Sequence, residues 1–214
     1  MPKPDVLLYE KEAWASGFSC LAGIDEAGRG PLAGPVVAAA VVFDPDYIQS
    51  ELESTYARLT DSKAMSEKVR EEYFRILNNA KAVSIGVGIV EPSEIDEINI
   101  LKATHCAMAQ AAKQVGADHA LVDGLPVKGL PCGHTAIVKG DALSLSISAA
   151  SIIAKVTRDR IMVELDAVYP GYGFADHKGY GTKAHLEALH KFGATPIHRQ
   201  SFRPVAELNQ MDLL

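Results

Sequence analysis

The sequence predicts an α/β domain, on three observations. Short runs dense in Val, Ile, Leu and Ala recur over residues 20–24, 36–43, 83–90, 119–122 and 135–138, which is how strands buried in a sheet read. Longer segments with apolar residues at helical spacing lie between or after them, over 66–80, 100–115 and 143–168. Three of the apolar runs also lead into an acid beside or near a glycine: Asp25, Asp123 and Asp141. Acids at strand ends of an α/β sheet can converge on one edge.

In chain order, residues 9–16 read as a short lead-in helix with Trp14 as a packing anchor. The first strand runs to Ile24, and an acidic, glycine-rich turn follows. The second strand, over 36–43, stops at Asp44-Pro45-Asp46; residues 47–60 leave helix and loop both open. Residues 60–63 form a polar loop. Ser66 then caps a helix whose apolar positions are Val69, Tyr73, Phe74 and Leu77. In the strand over 83–90, Gly86 and Gly88 point to close backbone approach. Pro92 opens a short helix, and 100–115 is a longer one carrying Leu101, Ala107, Met108 and Ala111. Strands over 119–122 and 135–138 lead to Asp123-Gly124 and Lys139-Gly140-Asp141. The helix over 143–168 is small and apolar early and charged later, where Lys155, Arg158 and Arg160 read as a solvated face. Tyr169-Pro170-Gly171 stops it. A glycine-rich loop over 171–181 leads to a helix over 182–192, and Pro204 starts a last short one. One domain over residues 1–214 is expected, with a helical C-terminal subregion at about 170–209 and a short tail over 210–214.

Bulk properties narrow the class. A chain of 214 residues, 48% hydrophobic and 22% charged, can bury one proper core. Cys20, Cys106 and Cys132 are odd in number and lack metal-type spacing, so a reducing compartment is expected. Pro2, Lys3, Pro4 and Asp5 do not open a signal peptide, and the apolar run over 31–43 is too short for a bilayer. Cytoplasm, no membrane and a monomer are the expectations. The net charge of -6 alone weighs against nucleic acid. Residues 155–204 are nonetheless locally basic, with 8 Lys/Arg against 5 Asp/Glu. A basic region facing an acidic catalytic cluster is compatible with that distribution.

The chemistry concentrates in Gly23-Ile24-Asp25-Glu26-Ala27-Gly28-Arg29-Gly30-Pro31. Neighbours on a strand point to opposite faces, so Asp25 and Glu26 share a site only where the strand ends or bends. Gly28 and Gly30 let backbone amides approach a ligand, and Arg29 offers a fork suited to phosphate. Carboxylates without His or Cys partners select hard cations, Mg²⁺ or Mn²⁺, over zinc. Two such ions can activate a water and stabilise a leaving oxygen in phosphodiester cleavage.

Several motifs, in order, resemble the type 2 ribonucleases H, the bacterial ribonuclease HII family. They are the stretch from Gly23 through Val37, Asp61-Ser62-Lys63, Leu121-Val122-Asp123-Gly124, Val138-Lys139-Gly140-Asp141, the run from Ser148 through Asp159, and His177-Lys178-Gly179-Tyr180-Gly181-Thr182. The resemblance covers nearly the whole chain. It implies a ribonuclease H-like mixed β-sheet flanked by helices, with a small helical C-terminal portion. It also implies a two-metal site of Asp25, Glu26, Asp123 and Asp141 that cleaves RNA in RNA–DNA hybrids and duplex DNA at an embedded ribonucleotide. Cleavage would fall on the 5′ side of the ribonucleotide and leave 3′-hydroxyl and 5′-phosphate ends. Gly28, Arg29 and Gly30 would read the 2′-hydroxyl and Tyr180 would stack on the following sugar. Ser62 belongs to the substrate-binding set, with Lys63 and Lys178 as phosphate contacts. The related type 3 group resembles this one in its core but usually carries an extra N-terminal domain, and only about twenty residues precede Leu21 here.

The remaining features carry less. His177 and His198 read as loop or structural residues, and Cys20 and Cys106 as core thiols. The terminal Gln210-Met211-Asp212-Leu213-Leu214 resembles the short peptides by which bacterial replication proteins dock on the sliding clamp.

Overall fold

Strands β1 (Leu21–Ala27), β2 (Val36–Phe43), β3 (Val83–Val90), β4 (His119–Asp123) and β5 (Gly133–Ile137) form one sheet in the order β3-β2-β1-β4-β5. The computed structural model describes residues 5–59 and 65–211. Neighbours β1–β2 and β2–β3 are antiparallel, whereas β1–β4 and β4–β5 are parallel. This is the expected mixed sheet. The parallel half aims the C-terminal ends of β1, β4 and β5 at one edge, and that edge carries the acids.

Helices cover both faces. They are α1 (Leu8–Ala15), α2 (Pro45–Glu51), α3 (Glu67–Asn79), α4 (Pro92–Ile98), α5 (Ile100–Val115), α6 (Gly140–Leu143), α7 (Leu145–Val168), α8 (Phe174–His177), α9 (Lys183–Phe192) and α10 (Arg203–Met211). Alternation along β2 divides the core. Ala39, Val41 and Phe43 join Ala149, Ile152 and Ile153 of α7, while Ala38 and Ala40 join Ala103, Ala107 and Ala111 of α5. Each fully buried isoleucine such as Ile152 contributes roughly 1.5–3 kcal/mol. Gly86 and Gly88 do mark a close approach: a Cβ there would lie 2.2 Å from the Ala111 carbonyl oxygen and 2.0 Å from that of Ala107.

Three elements differ from the sequence reading. β1 continues through Asp25 and Glu26 to Ala27, because β2 supplies antiparallel partners as far as the Ala27–Val37 pair. The helix expected over 143–168 is α7, beginning at Leu145, and an unexpected short α6 precedes it; Ser144 separates the two, and its hydroxyl accepts the Ile147 N–H and caps α7. The buried Glu10 carboxylate holds this junction by accepting from the Ser144 and Ser146 hydroxyls, each at 2.6 Å. The 171–181 loop contains the short α8. Of the open segments, 47–60 yields α2, capped by Asp44, while the polar loop over 60–63 and residues 212–214 lie outside the described residues.

Candidate metal and substrate site

Strand parity decides which acids meet. Asp25 has the parity of Leu21 and Gly23, which face α7, and Asp123 that of Leu121 in the same cluster as Leu21 and Ile147. Asp141 stands just beyond β5 in the first turn of α6. One carboxylate oxygen from each of Asp25, Asp123 and Asp141 lies within 4.8 Å of the other two. Glu26 has the opposite parity and stands outside this trio, but it and Asp25 line one cleft of about 270 Å³.

Local hydrogen bonds set the acids in place. Asp123 Oδ1 accepts the Gly140 N–H at 2.7 Å, tying the start of α6 to the end of β4. Lys139 makes that turn in the left-handed region, at φ 59°. Asp25 Oδ1 accepts the Glu26 N–H at 2.7 Å. Burial first, then repulsion from Glu26 and Asp123, holds the Asp25 carboxyl well above the usual carboxylate range; Asp141 adds to it. An all-oxygen donor set under such repulsion fits a hard divalent cation, which would favour the charged form of each ligand.

Beside the acids, the cleft is walled by Gly28, Arg29, Gly30, Lys155, Arg158 and Tyr180. Gly28 has φ +94°, and a Cβ there would lie 2.0 Å from Arg158 Nε, so this turn requires glycine. Arg29 is about half exposed and donates to Glu26 Oε1 at 3.2 Å. Gly30 faces Tyr180, whose ring would stand 3.8 Å from a Cβ at Gly30. Tyr180 is itself half exposed. The sequence-predicted Gly28, Arg29, Gly30 and Tyr180 thus meet Asp25 and Glu26 in one cleft. Lys178 lies nearby, but its ammonium donates to the Ala175 carbonyl. Ser62 and Lys63 lie outside the described residues.

Two arginines build this turn, and sequence reasoning missed both. Arg158 is buried rather than solvated, contrary to its reading as a helix-face cation. It donates to the carbonyls of Pro35, Lys178 and Ala33 at 2.9, 2.9 and 3.0 Å. Arg199, also buried, donates to the carbonyls of Gly28, Arg29, Pro31 and Gly34 at 2.6–3.0 Å. A tight glycine turn leaves carbonyls without strand partners, and an Arg fork can satisfy several at once. Burial pulls the two guanidinium pKa values down, to about 10 for Arg158 and about 9 for Arg199. Both therefore stay charged near neutrality. The only sequence signal was the turn itself, whose carbonyls needed donors from somewhere.

Comparison with known proteins agrees with this geometry. The ribonuclease HII family model matches residues 22–205. A ribonuclease HII of Acholeplasma laidlawii is 50% identical over 206 residues, 95% of this chain and 97% of that protein. Among solved structures, the ribonuclease H2 of Pyrococcus horikoshii superposes with a TM-score of 0.73 at 28% identity, covering 89% of this chain and 97% of that one. The Archaeoglobus fulgidus ribonuclease HII, solved in complex with PCNA, gives 0.71 at 27% identity and covers 86% and 95%. No helix among the described residues is long and apolar enough to cross a membrane. The chain belongs to the ribonuclease HII family of metal-dependent ribonuclease H hydrolases, which cleave RNA in RNA–DNA hybrids and at ribonucleotides in DNA.

Proposed function

We propose that Asp25, Glu26, Asp123 and Asp141 hold two Mg²⁺ or Mn²⁺ ions and cut the phosphodiester on the 5′ side of a ribonucleotide embedded in duplex DNA. The observation that carries this reading is the cleft itself. Asp25, a member of the acid trio, shares it with the Gly28–Gly30 turn and with Tyr180. Bound there, such ions supply an activated water and charge stabilisation for the leaving 3′-oxygen, giving 3′-hydroxyl and 5′-phosphate ends.

The protein's own groups do the selecting. Backbone amides of Gly28 and Gly30 approach the sugar closely and read its 2′-hydroxyl, the group that separates RNA from DNA. Arg29 extends from the same turn towards phosphate, and Tyr180 offers its ring to the sugar of the next deoxynucleotide. Ser62, Lys63 and Lys178 serve the phosphate backbone and carry no sequence information. The enzyme acts in the cytoplasm.

The decisive experiment uses three labelled duplexes in Mg²⁺ and in Mn²⁺: all-DNA, DNA with one ribonucleotide, and a long RNA–DNA hybrid. Incision 5′ to the single ribonucleotide, with the all-DNA control intact, is the expected result. Cutting of the all-DNA duplex, or none at the single ribonucleotide, would defeat the reading.

A second element of the proposal concerns residues 210–214, which dock on the bacterial sliding clamp through Leu213 and Leu214. Its support is the Gln-x-x-Leu-Leu pattern, together with the archaeal relative solved with PCNA. Truncation after Asn209 is expected to abolish retention on immobilised clamp while leaving cleavage of free oligonucleotides unchanged. Equal retention of both chains would remove this element.

A further inference from the structure

Against the Tyr180 backbone lies a buried histidine cluster that the hydrolytic chemistry does not use. His185 and His198 are essentially inaccessible to solvent. Their Nε2 atoms stand 3.1 Å apart. His185 Nδ1 is 2.9 Å from the Tyr180 carbonyl oxygen, and His198 Nδ1 is 2.9 Å from the Thr195 backbone nitrogen. Phe174 meets the His185 ring edge-on at 5.4 Å, and His177 stacks on it at 4.5 Å, closing the cluster from water.

Donor and acceptor chemistry allows this chain one direction. A carbonyl only accepts, so His185 Nδ1 carries a hydrogen and its Nε2 must accept. A backbone N–H only donates, so His198 Nδ1 accepts and its Nε2 carries the hydrogen. The relay therefore runs from Thr195 N–H to His198, from His198 to His185, and from His185 to the Tyr180 carbonyl. Both imidazoles are neutral in it. Burial agrees, depressing the pKa of His185 and taking that of His198 down to about 4. At its far end the relay is anchored to the other recognition element. Ala33 bridges to His198, and the Arg199 N–H donates to the Leu32 carbonyl at 2.8 Å.

We propose that His185 and His198 are positioning residues for substrate recognition, holding Tyr180 over Gly30 through a directional relay to the Tyr180 carbonyl. The inference rests on the reading of Tyr180 as the platform for the deoxynucleotide after the ribonucleotide. It follows that the relay matters most where a ribonucleotide meets DNA, and less along a continuous hybrid.

Two side-chain amides separate this role from simple core packing. His185→Asn keeps a donor at the Nδ1 position towards Tyr180, while His185→Gln places its amide near Nε2 and removes the side-chain donor, leaving the Tyr180 carbonyl only the Thr182 N–H at 2.8 Å. The readout is the ratio of kcat/KM on the single-ribonucleotide duplex to that on the long hybrid, with each variant's fold checked by its melting curve. His185→Gln is expected to lower this ratio by up to about tenfold, the scale of one net hydrogen bond, with His185→Asn within about twofold of wild type. Equal losses on both substrates, or the same ratio for Gln and Asn, would overturn the proposal. Tyr180→Ala, run in parallel, keeps the two ideas apart. If it lowers the ratio and His185→Gln does not, the relay is refuted and the Tyr180 reading stands. If Tyr180→Ala leaves the ratio unchanged, that reading falls and takes the relay with it.

Discussion

Asp25→Asn is expected to lower kcat on the single-ribonucleotide duplex by on the order of 10³-fold or more, with substrate binding held within a few-fold. Asp25 is buried and repelled by Glu26, Asp123 and Asp141, which holds its carboxyl well above the usual carboxylate range. An amide keeps the size and the acceptor oxygen but removes the charge that would hold a cation, and metal assistance of this kind is worth several kcal/mol of barrier, each 1.4 of which is about tenfold. The same substitution should stabilise the metal-free protein, and the sign follows from linkage. With its pKa raised on folding, the native state keeps the Asp25 proton to higher pH than the unfolded chain does. Stability from this group is therefore present below the ordinary carboxylate pKa and is lost as pH climbs through the raised one. The melting temperature of Asp25→Asn minus that of wild type, in a chelator, should grow with pH across that window. Added Mg²⁺ or Mn²⁺ should raise the wild-type melting temperature and leave the variant nearly unmoved. Retained cleavage by Asp25→Asn, or a melting difference independent of pH, would contradict the proposed metal cradle.

How legible this site was depended on whether a residue's role is local. The strand over 83–90 and the helix over 100–115 have the bounds their β-branched density and helical spacing imply, because those signals lie within the element. The three aspartates were legible for a similar reason: each closely follows an apolar run, and the parallel half of the sheet gathers such positions at one edge. The end of β1 was not legible, since pairing as far as Ala27 depends on β2 rather than on Asp25 and Glu26 themselves. Arg158 and Arg199 were invisible for a stronger reason. Their carbonyl partners in the turn lie 123 and more residues away in the chain, and a lone arginine in a polar stretch reads as surface. His198 shows both sides. Its structural character was readable, but its connection through His185 to Tyr180 exists only once α9 and the segment after it are folded.

Gly23→Ala should destabilise the protein by about 3 kcal/mol or more, at or above the usual range for overpacking a core. On a chain of this length that corresponds to a fall in melting temperature of roughly 6–12 °C. The cause is contact with backbone rather than side chain. A Cβ at Gly23 would lie 2.1 Å from the Ser146 carbonyl carbon and 2.3 Å from the Ile147 nitrogen. No rotamer change relieves such a clash, so β1 and the first turn of α7 must separate. That separation acts on the site as well as the core. Gly23 is two residues before Asp25 on the same face of β1, and Ser146 follows Asp141 by five. Moving α7 away therefore carries the junction at Ser144, and Asp141 with it, away from Asp25. Cleavage should fall in the folded variant at temperatures well below its melting point, by a shortfall that higher metal concentration partly restores. Gly133→Ala is the matched control. It is also in a strand, on β5, but its added Cβ meets only the His119 ring, at 3.3 Å, a contact relieved by a shift of a few tenths of an ångström rather than by separating two elements. There the lost freedom of the unfolded chain offsets the crowding, and stability should stay within about 1 kcal/mol of wild type. If Gly23→Ala melts within a few degrees of Gly133→Ala, the close packing of α7 on β1 does not set the separation of Asp25 from Asp141.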